Sequence, residues 1–213
     1  MIKVENFGVY NFENAVRGMR NPLNSWKKND SVFGKLEGNF ALGENDIGLL
    51  KRLIKSGNEH RKVLRQIFVS VDITAPLYWW KEMDQYKIGT TTNSCSTMHT
   101  IYKKEFELDD FSHEHLCEGA LIILEKLVYS LNTFREAYLD TSNKEHWWQL
   151  IQLLPSSYNQ KRTWTGSYEN LVNMYHQRKN HKLDEWHKFC EWIESLPYMN
   201  IFLEASNGQD KET

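Results

Sequence analysis

The alternation in Arg65–Pro76, RQIFVSVDITAP, constrains this chain most. Ile67, Val69, Val71 and Ile73 fall on one side of an extended backbone; Phe68, Ser70, Asp72 and Thr74 fall on the other. Period-two alternation of this kind predicts a strand with one buried face. Pro76 then suits the first turn of a helix, because its ring fixes φ and its missing N–H would have no partner there. The spacing therefore predicts a helix over LYWWKEMDQYK, with paired tryptophans.

Around that strand the pattern is mostly helical. MIKVENFGVY reads as an opening strand, and NFENAVRGMRN as a short helix capped by Asn11 or Asn14. Residues 21–45 scatter Pro and Gly and read as loop. In NDIGLLKRLIKSG, Ile47, Leu50, Leu53 and Ile54 share a helical face, Asn45 or Asp46 can cap it, and Gly57 can end it. Residues 117–139 form the longest helical pattern. HWWQLIQLLP is a helix stopped by Pro155, and GSYENLVNMYHQRK and LDEWHKFCEWIESLP are two more. KKEFELDDFSHEH reads as charged surface, and the last residues, 206–213, as a disordered tail. The expected fold is a helix-rich α+β single domain, 1–205, with a small antiparallel sheet.

Composition limits the function classes. The chain has 213 residues with a net charge of −2, so it lacks the concentrated basic face that duplex binding needs. No apolar run approaches the roughly 18 residues of a membrane span. Cys95, Cys117 and Cys190 are odd in number and have no CxxC spacing, which predicts free thiols in a reducing compartment. The opening Met-Ile-Lys-Val-Glu has no signal-peptide pattern. A cytoplasmic protein without a nucleic-acid polymer or membrane partner is the expectation.

The unusual stretch is IGTTTNSCST, residues 88–97, a ribbon of small hydroxyl and amide side chains after the tryptophan helix. Such a ribbon can hold a polar ligand. Other patterns carry less. His113, His115 and Cys117 alternate, but with no fourth ligand and a helix ahead they do not make a metal site. Cys95 and His99 would meet as nucleophile and base only on a helix. Lys87, Arg178 and Lys188 are cations suited to anions, but their spacing alone does not bring them together.

The run from Leu49 to Ser96 resembles the core of flavin-dependent thymidylate synthases: a helix, a turn here reading Gly57-Asn58-Glu59-His60, a strand ending Thr74-Ala75-Pro76, a helix, and a polar ribbon. Residues 153–193 are similar to that family's Leu-Pro loop and paired late helices. The departures are as specific as the match. The family's Arg-His-Arg signature falls on Gln85-Tyr86-Lys87. In the ribbon, Asn93 and Ser96 keep signature types, while Ser94, Met98 and His99 replace Glu, Arg and Tyr. Asn173 replaces a His, Arg178 matches an Arg, and Lys188 stands near a nucleotide-binding Arg.

The resemblance implies a homotetramer binding FAD and a pyrimidine nucleotide such as dUMP, with methyl or hydroxymethyl transfer to the base in nucleotide biosynthesis. It implies substrate contacts by Lys87, Thr90, Ser96, Arg178 and Lys188, and cofactor contacts by His60, Tyr86, Asn93, Asn170 and Asn173. It names no catalytic nucleophile and no metal. Arg61 and Arg65 are expected to compensate for the lost signature arginines. Two alternatives stay open: a non-catalytic protein holding a nucleotide-derived signal as sensor or sponge, and a partner-binding protein with a vestigial pocket.

Overall fold

A computed structural model describes residues 2–34 and 40–207. Its elements run β1 (Lys3–Tyr10), α1 (Phe12–Gly18), β2 (Val32–Phe33), β3 (Phe40–Ala41), α2 (Glu44–Lys55), α3 (Lys62–Gln66), β4 (Phe68–Pro76) and α4 (Leu77–Met83). They continue with β5 (Thr91–Ser94), α5 (Thr97–Thr100), α6 (Glu118–Thr141), α7 (Lys144–Leu153), β6 (Asn159–Ser167), α8 (Tyr168–Arg178), α9 (Asp184–Ser195) and α10 (Met199–Ser206). One sheet has the order β1-β4-β6-β5, and β2 pairs antiparallel with β3. This is the helix-rich α+β fold expected from the sequence.

The chain gathers into two compact units. Among the described residues, one comprises Ile73–Gln85 and Asn93–Thr163 with Ile2 and Lys3; the other comprises those of Val4–Asp72, Tyr86–Thr92 and Trp164–Asn207. The division cuts β1, β4, β5 and β6, and once falls between α4 and β5, at Gln85 and Tyr86.

In the first unit, α6 pairs with α7. Leu124, Leu131 and Leu150 from these helices are buried with Ile101, Phe106 and Phe111. Trp79 and Trp80 of α4 are fully buried, and Trp80 Nε1–H donates to the Gln160 carbonyl at 2.9 Å. Arg162 lies over the Trp80 ring at 4.3 Å and pairs with Asp84 at 2.8 Å.

In the second unit, β4 buries Val69 and Val71 while Phe68, Ser70 and Asp72 look outward. Helices α8 and α9 pack together, and α10 packs on α2. Buried Tyr168, Trp186, Phe189 and Phe202 fill the space between them. Asp46 of α2 is fully buried against Arg20, with Arg20 Nε at 2.6 Å from its Oδ1. Its second oxygen accepts from the Asp30 and Ser31 backbone and the Ser31 hydroxyl.

Several expectations are corrected. Asp46 is this buried ion-pair partner and not a cap: the α2 start is held by Asp30, whose carboxylate accepts from the Asn45 and Asp46 N–H groups. Those bonds hold the Asp30 carboxyl below its usual pKa. Helix α4 ends at Met83, before Gln85-Tyr86-Lys87. The charged stretch before α6 is not all surface, because Phe106 and Phe111 are core and Phe111 bridges to Tyr158. The loop expected over 21–45 carries short 3₁₀ turns at Asn21–Leu23 and Trp26–Lys28 as well as β2 and β3; its residues 35–39 lie outside the described ones. The polar ribbon is partly a strand, β5. Strand β6 and helix α10 are additional elements. Residues 208–213 of the expected tail lie outside the described residues, and Ser206 is a buried part of α10. No described helix is long and apolar enough to cross a membrane, and all three cysteines are free.

Candidate functional site

Helix α8 organises the candidate site. Its start is a capping box: Ser167 Oγ accepts from the Asn170 N–H, and the Asn170 side chain accepts from the Ser167 N–H. This reciprocal arrangement satisfies two N–H groups that a helix start would otherwise leave unpaired. The Asn170 amide nitrogen then donates to the Ile88 carbonyl at 2.9 Å. The ribbon is thereby tied to the helix start, and Gly89 passes beside Asn170 at φ +71°, a conformation that suits a residue without Cβ.

Around this junction is a cleft of about 450 Å³ lined by Arg65, Phe68, Ile88, Gly89, Ser167, Glu169, Asn170 and Asn173. At Glu169 the carboxylate meets Arg61 Nε at 2.9 Å and Arg65 Nη1 at 3.1 Å. Two cations on one carboxylate leave this group of three with a net positive charge. Arg65 also donates to the Asn58 carbonyl and remains 44% exposed, so its position is fixed while its surface stays open. Asn173, half-buried, makes no hydrogen bond among the described residues, and its amide is open to a ligand. Phe68 is 44% exposed and Ile88 91% exposed, which gives the cleft apolar surface.

A second cleft, of about 720 Å³, shares Arg65 and is otherwise mostly apolar, with Met19, Leu23, Leu53 and Val63 beside His60. Arg65 therefore faces both spaces.

Tyr86 and Arg178 meet nearby in the same unit. Arg178 Nε donates to the Tyr86 hydroxyl at 2.8 Å, and that hydroxyl donates to Gln177 at 2.9 Å. The Arg178 guanidinium lies over the Trp186 ring at 4.9 Å. Thr90 Oγ1 donates to the Tyr86 carbonyl.

The sequence-predicted residues thus divide. Asn170 and Asn173 line the cleft, while Tyr86, Thr90 and Arg178 form a bonded group within the fold. His60 lines the second cleft. Lys87 is exposed, and Lys188 is half-buried on α9. Asn93 and Ser96 belong to the other unit, where Asn93 sits exposed on β5 and Ser96 caps α5 by accepting from the His99 N–H. Arg61, one of the two arginines expected to compensate, pairs with Glu169, because a buried guanidinium requires a counter-charge. The sequence reading missed Phe68, Ser167, Glu169 and Gly89. Ser167-x-x-Asn170 before an apolar-periodic run was a readable cap signal. Glu169 gave no signal, because its arginines lie over a hundred residues away in sequence.

Among the described residues Cys95 and His99 make no contact with each other as a nucleophile–base pair; the Cys95 N–H donates to the Lys161 carbonyl. Among the described residues no three His, Cys, Asp or Glu side chains gather as a metal site.

No protein-family model and no curated protein matches the chain. Solved structures do match. The chain is similar to flavin-dependent thymidylate synthase ThyX from Helicobacter pylori complexed with FAD and dUMP, at a TM-score of 0.66 and 18% identity, covering 96% of this chain and 98% of that one. A second structure of that enzyme with FAD and dUMP gives a TM-score of 0.68 at 16% identity, over 97% and 99% of the two chains. Identity at this level shows a common fold.

Proposed function

We propose that this chain binds a flavin and a pyrimidine nucleotide on the flavin-dependent thymidylate synthase fold. The observation that carries this reading is the end-to-end correspondence with an enzyme solved with FAD and dUMP. The cleft beside α8 supports it with suitable chemistry. The lining fits a flat, polar-edged ring: Phe68 and Ile88 supply apolar surface, the Asn173 amide supplies a donor and an acceptor, and Gly89 lets backbone approach. The Arg61–Glu169–Arg65 group adds a net positive floor for phosphate. A bound reduced flavin would supply a hydride to the carbon being transferred. This chain's residues would orient the rings and neutralise the phosphate, and no side-chain nucleophile is required of them.

The enzyme reading is transfer of a one-carbon unit to the base. The second reading, a non-catalytic sensor or sponge, is favoured by one observation: Arg178 and Arg61 are committed to Tyr86, Trp186 and Glu169. Homotetrameric assembly belongs to the same proposal. The exposed apolar residues of α6 and α7 are its contact candidates.

The test is calorimetric titration of dUMP into the protein with and without FAD. The expected result is saturable binding that Asn173→Ala weakens about tenfold, the value of one lost hydrogen bond in a desolvated site. Product formation with reductant and a folate donor separates the enzyme from the sensor. No binding of either ligand would refute the flavin and pyrimidine-nucleotide reading.

A further inference from the structure

We propose that a separate cleft, formed by α1, the 3₁₀ turns after it and β2, binds a guanine-type base. Its volume is about 430 Å³, and it shares no lining residue with the clefts at Arg65. That size suits a small ring ligand. The inference does not rest on the flavin reading.

Two aromatic side chains line it, each held in place by the fold. Trp26 is 53% exposed, yet its indole N–H is anchored to Asn21 Oδ1 at 2.8 Å. Phe33 is stacked on Phe40, with centroids 5.6 Å apart and planes within 20°. An oriented, exposed indole is a ready stacking surface for a base.

The polar groups at the same cleft supply an edge-reading pair. Glu13 and Arg17 are four residues apart on α1 and so share a face. Glu13 has no hydrogen bond or ion pair among the described residues, so its carboxylate is an open acceptor. Arg17 is oriented by donating to Asn14 Oδ1 at 2.7 Å. Deeper in, Arg20 is 3% exposed and lines the cleft while paired with Asp46, so its positive charge is fixed at the cleft's inner side.

This is the donor–acceptor pattern of guanine. A carboxylate accepts from its N1–H and N2–H₂ groups together, and a guanidinium donates to O6 and N7. Adenine would set its N1 lone pair against the Glu13 carboxylate, acceptor against acceptor, which costs affinity. Uracil offers a single N–H on the corresponding edge.

The experiment is titration of guanosine, which carries no phosphate, into the full chain by calorimetry and tryptophan fluorescence, with adenosine, cytidine and free phenylalanine as comparators. Saturable guanosine binding is expected, at least about tenfold tighter than adenosine. Glu13→Gln should weaken it about tenfold, and Trp26→Ala should weaken it and remove the fluorescence change. Both residues are exposed, and the Gln variant carries the test if Trp26→Ala misfolds. Asn173→Ala, in the other cleft, should leave guanosine binding unchanged, so failure here is distinct from failure of the flavin reading. Absence of saturable binding, equal affinity for adenosine, tighter binding of phenylalanine, or binding that survives both variants would overturn the proposal.

Discussion

At the residue scale, the pair Arg20–Asp46 carries the largest single expected effect. Both side chains are buried, and Asp46 also holds the Asp30–Ser31 backbone. Removing one partner strands the other charge, so Asp46→Ala should cost about 3–5 kcal/mol, read from the urea midpoint. A loss below about 1 kcal/mol would mean that water reaches the pair. Asp30 contributes to acid sensitivity. Backbone N–H groups of α2 lower its pKa below the ordinary carboxyl value. A lowered carboxyl contributes stability that is present above its unfolded pKa and lost as pH falls through its folded one. Stability should therefore decline below about pH 4, and Asp30→Asn should flatten that decline. The cysteines separate by burial: burial pushes the Cys190 thiol up to about 12, whereas Cys95 and Cys117 are exposed. At pH 8, a thiol reagent should label Cys95 and Cys117 quickly and Cys190 only on unfolding. Three fast thiols would contradict the buried position of Cys190.

At the element scale, the cap of α8 determines how the cleft is held. Ser167→Ala removes an N-cap and should cost about 1 kcal/mol. Because Asn170 also holds the ribbon at Ile88, Asn170→Ala should cost stability and ligand affinity together, whereas Asn173→Ala should cost affinity alone. The exposed face of α6 makes a different prediction. Ile123 is 68% and Tyr129 76% exposed on a helix that buries few of its residues. A double Ile123→Lys, Tyr129→Lys variant should lower the solution mass measured by light scattering; an unchanged mass would remove this face from the assembly.

How legible each element was follows from the same physics. Strand β4 was readable because its inward residues are aliphatic and its outward ones polar. Strand β6 was not, because its alternate positions are Gln160, Arg162, Trp164 and Gly166. Gln160 is buried while bonding the Cys95 carbonyl, and Arg162 is half-buried, lying on Trp80 and pairing with Asp84. Polar groups satisfied by distant partners leave no periodic signal in the chain. Asn170 and Asn173 of the candidate cleft were reached through resemblance, and the Ser167 cap was open to local reading. The charged floor at Glu169 needed the fold.

At the scale of the whole molecule, the chain shares an end-to-end fold with a flavin- and nucleotide-bound enzyme. Gln85 and Tyr86 are the residues on which the resemblance is expected to place the family's Arg and His, and Tyr86 is built into a bonded group with Arg178 and Gln177. Arg65 and Glu169 line the α8 cleft, and Arg61 pairs with the same Glu169 carboxylate, so the three together carry a net positive charge. The central claim is that this lining holds a flavin. The most direct measurement is the absorbance spectrum of the purified protein from about 300 to 550 nm, before and after FAD addition and desalting. The account predicts retained flavin bands with a protein-induced shift, weakened in Asn173→Ala. A flat spectrum after desalting, at FAD concentrations well above those of ordinary cofactor binding, would contradict it.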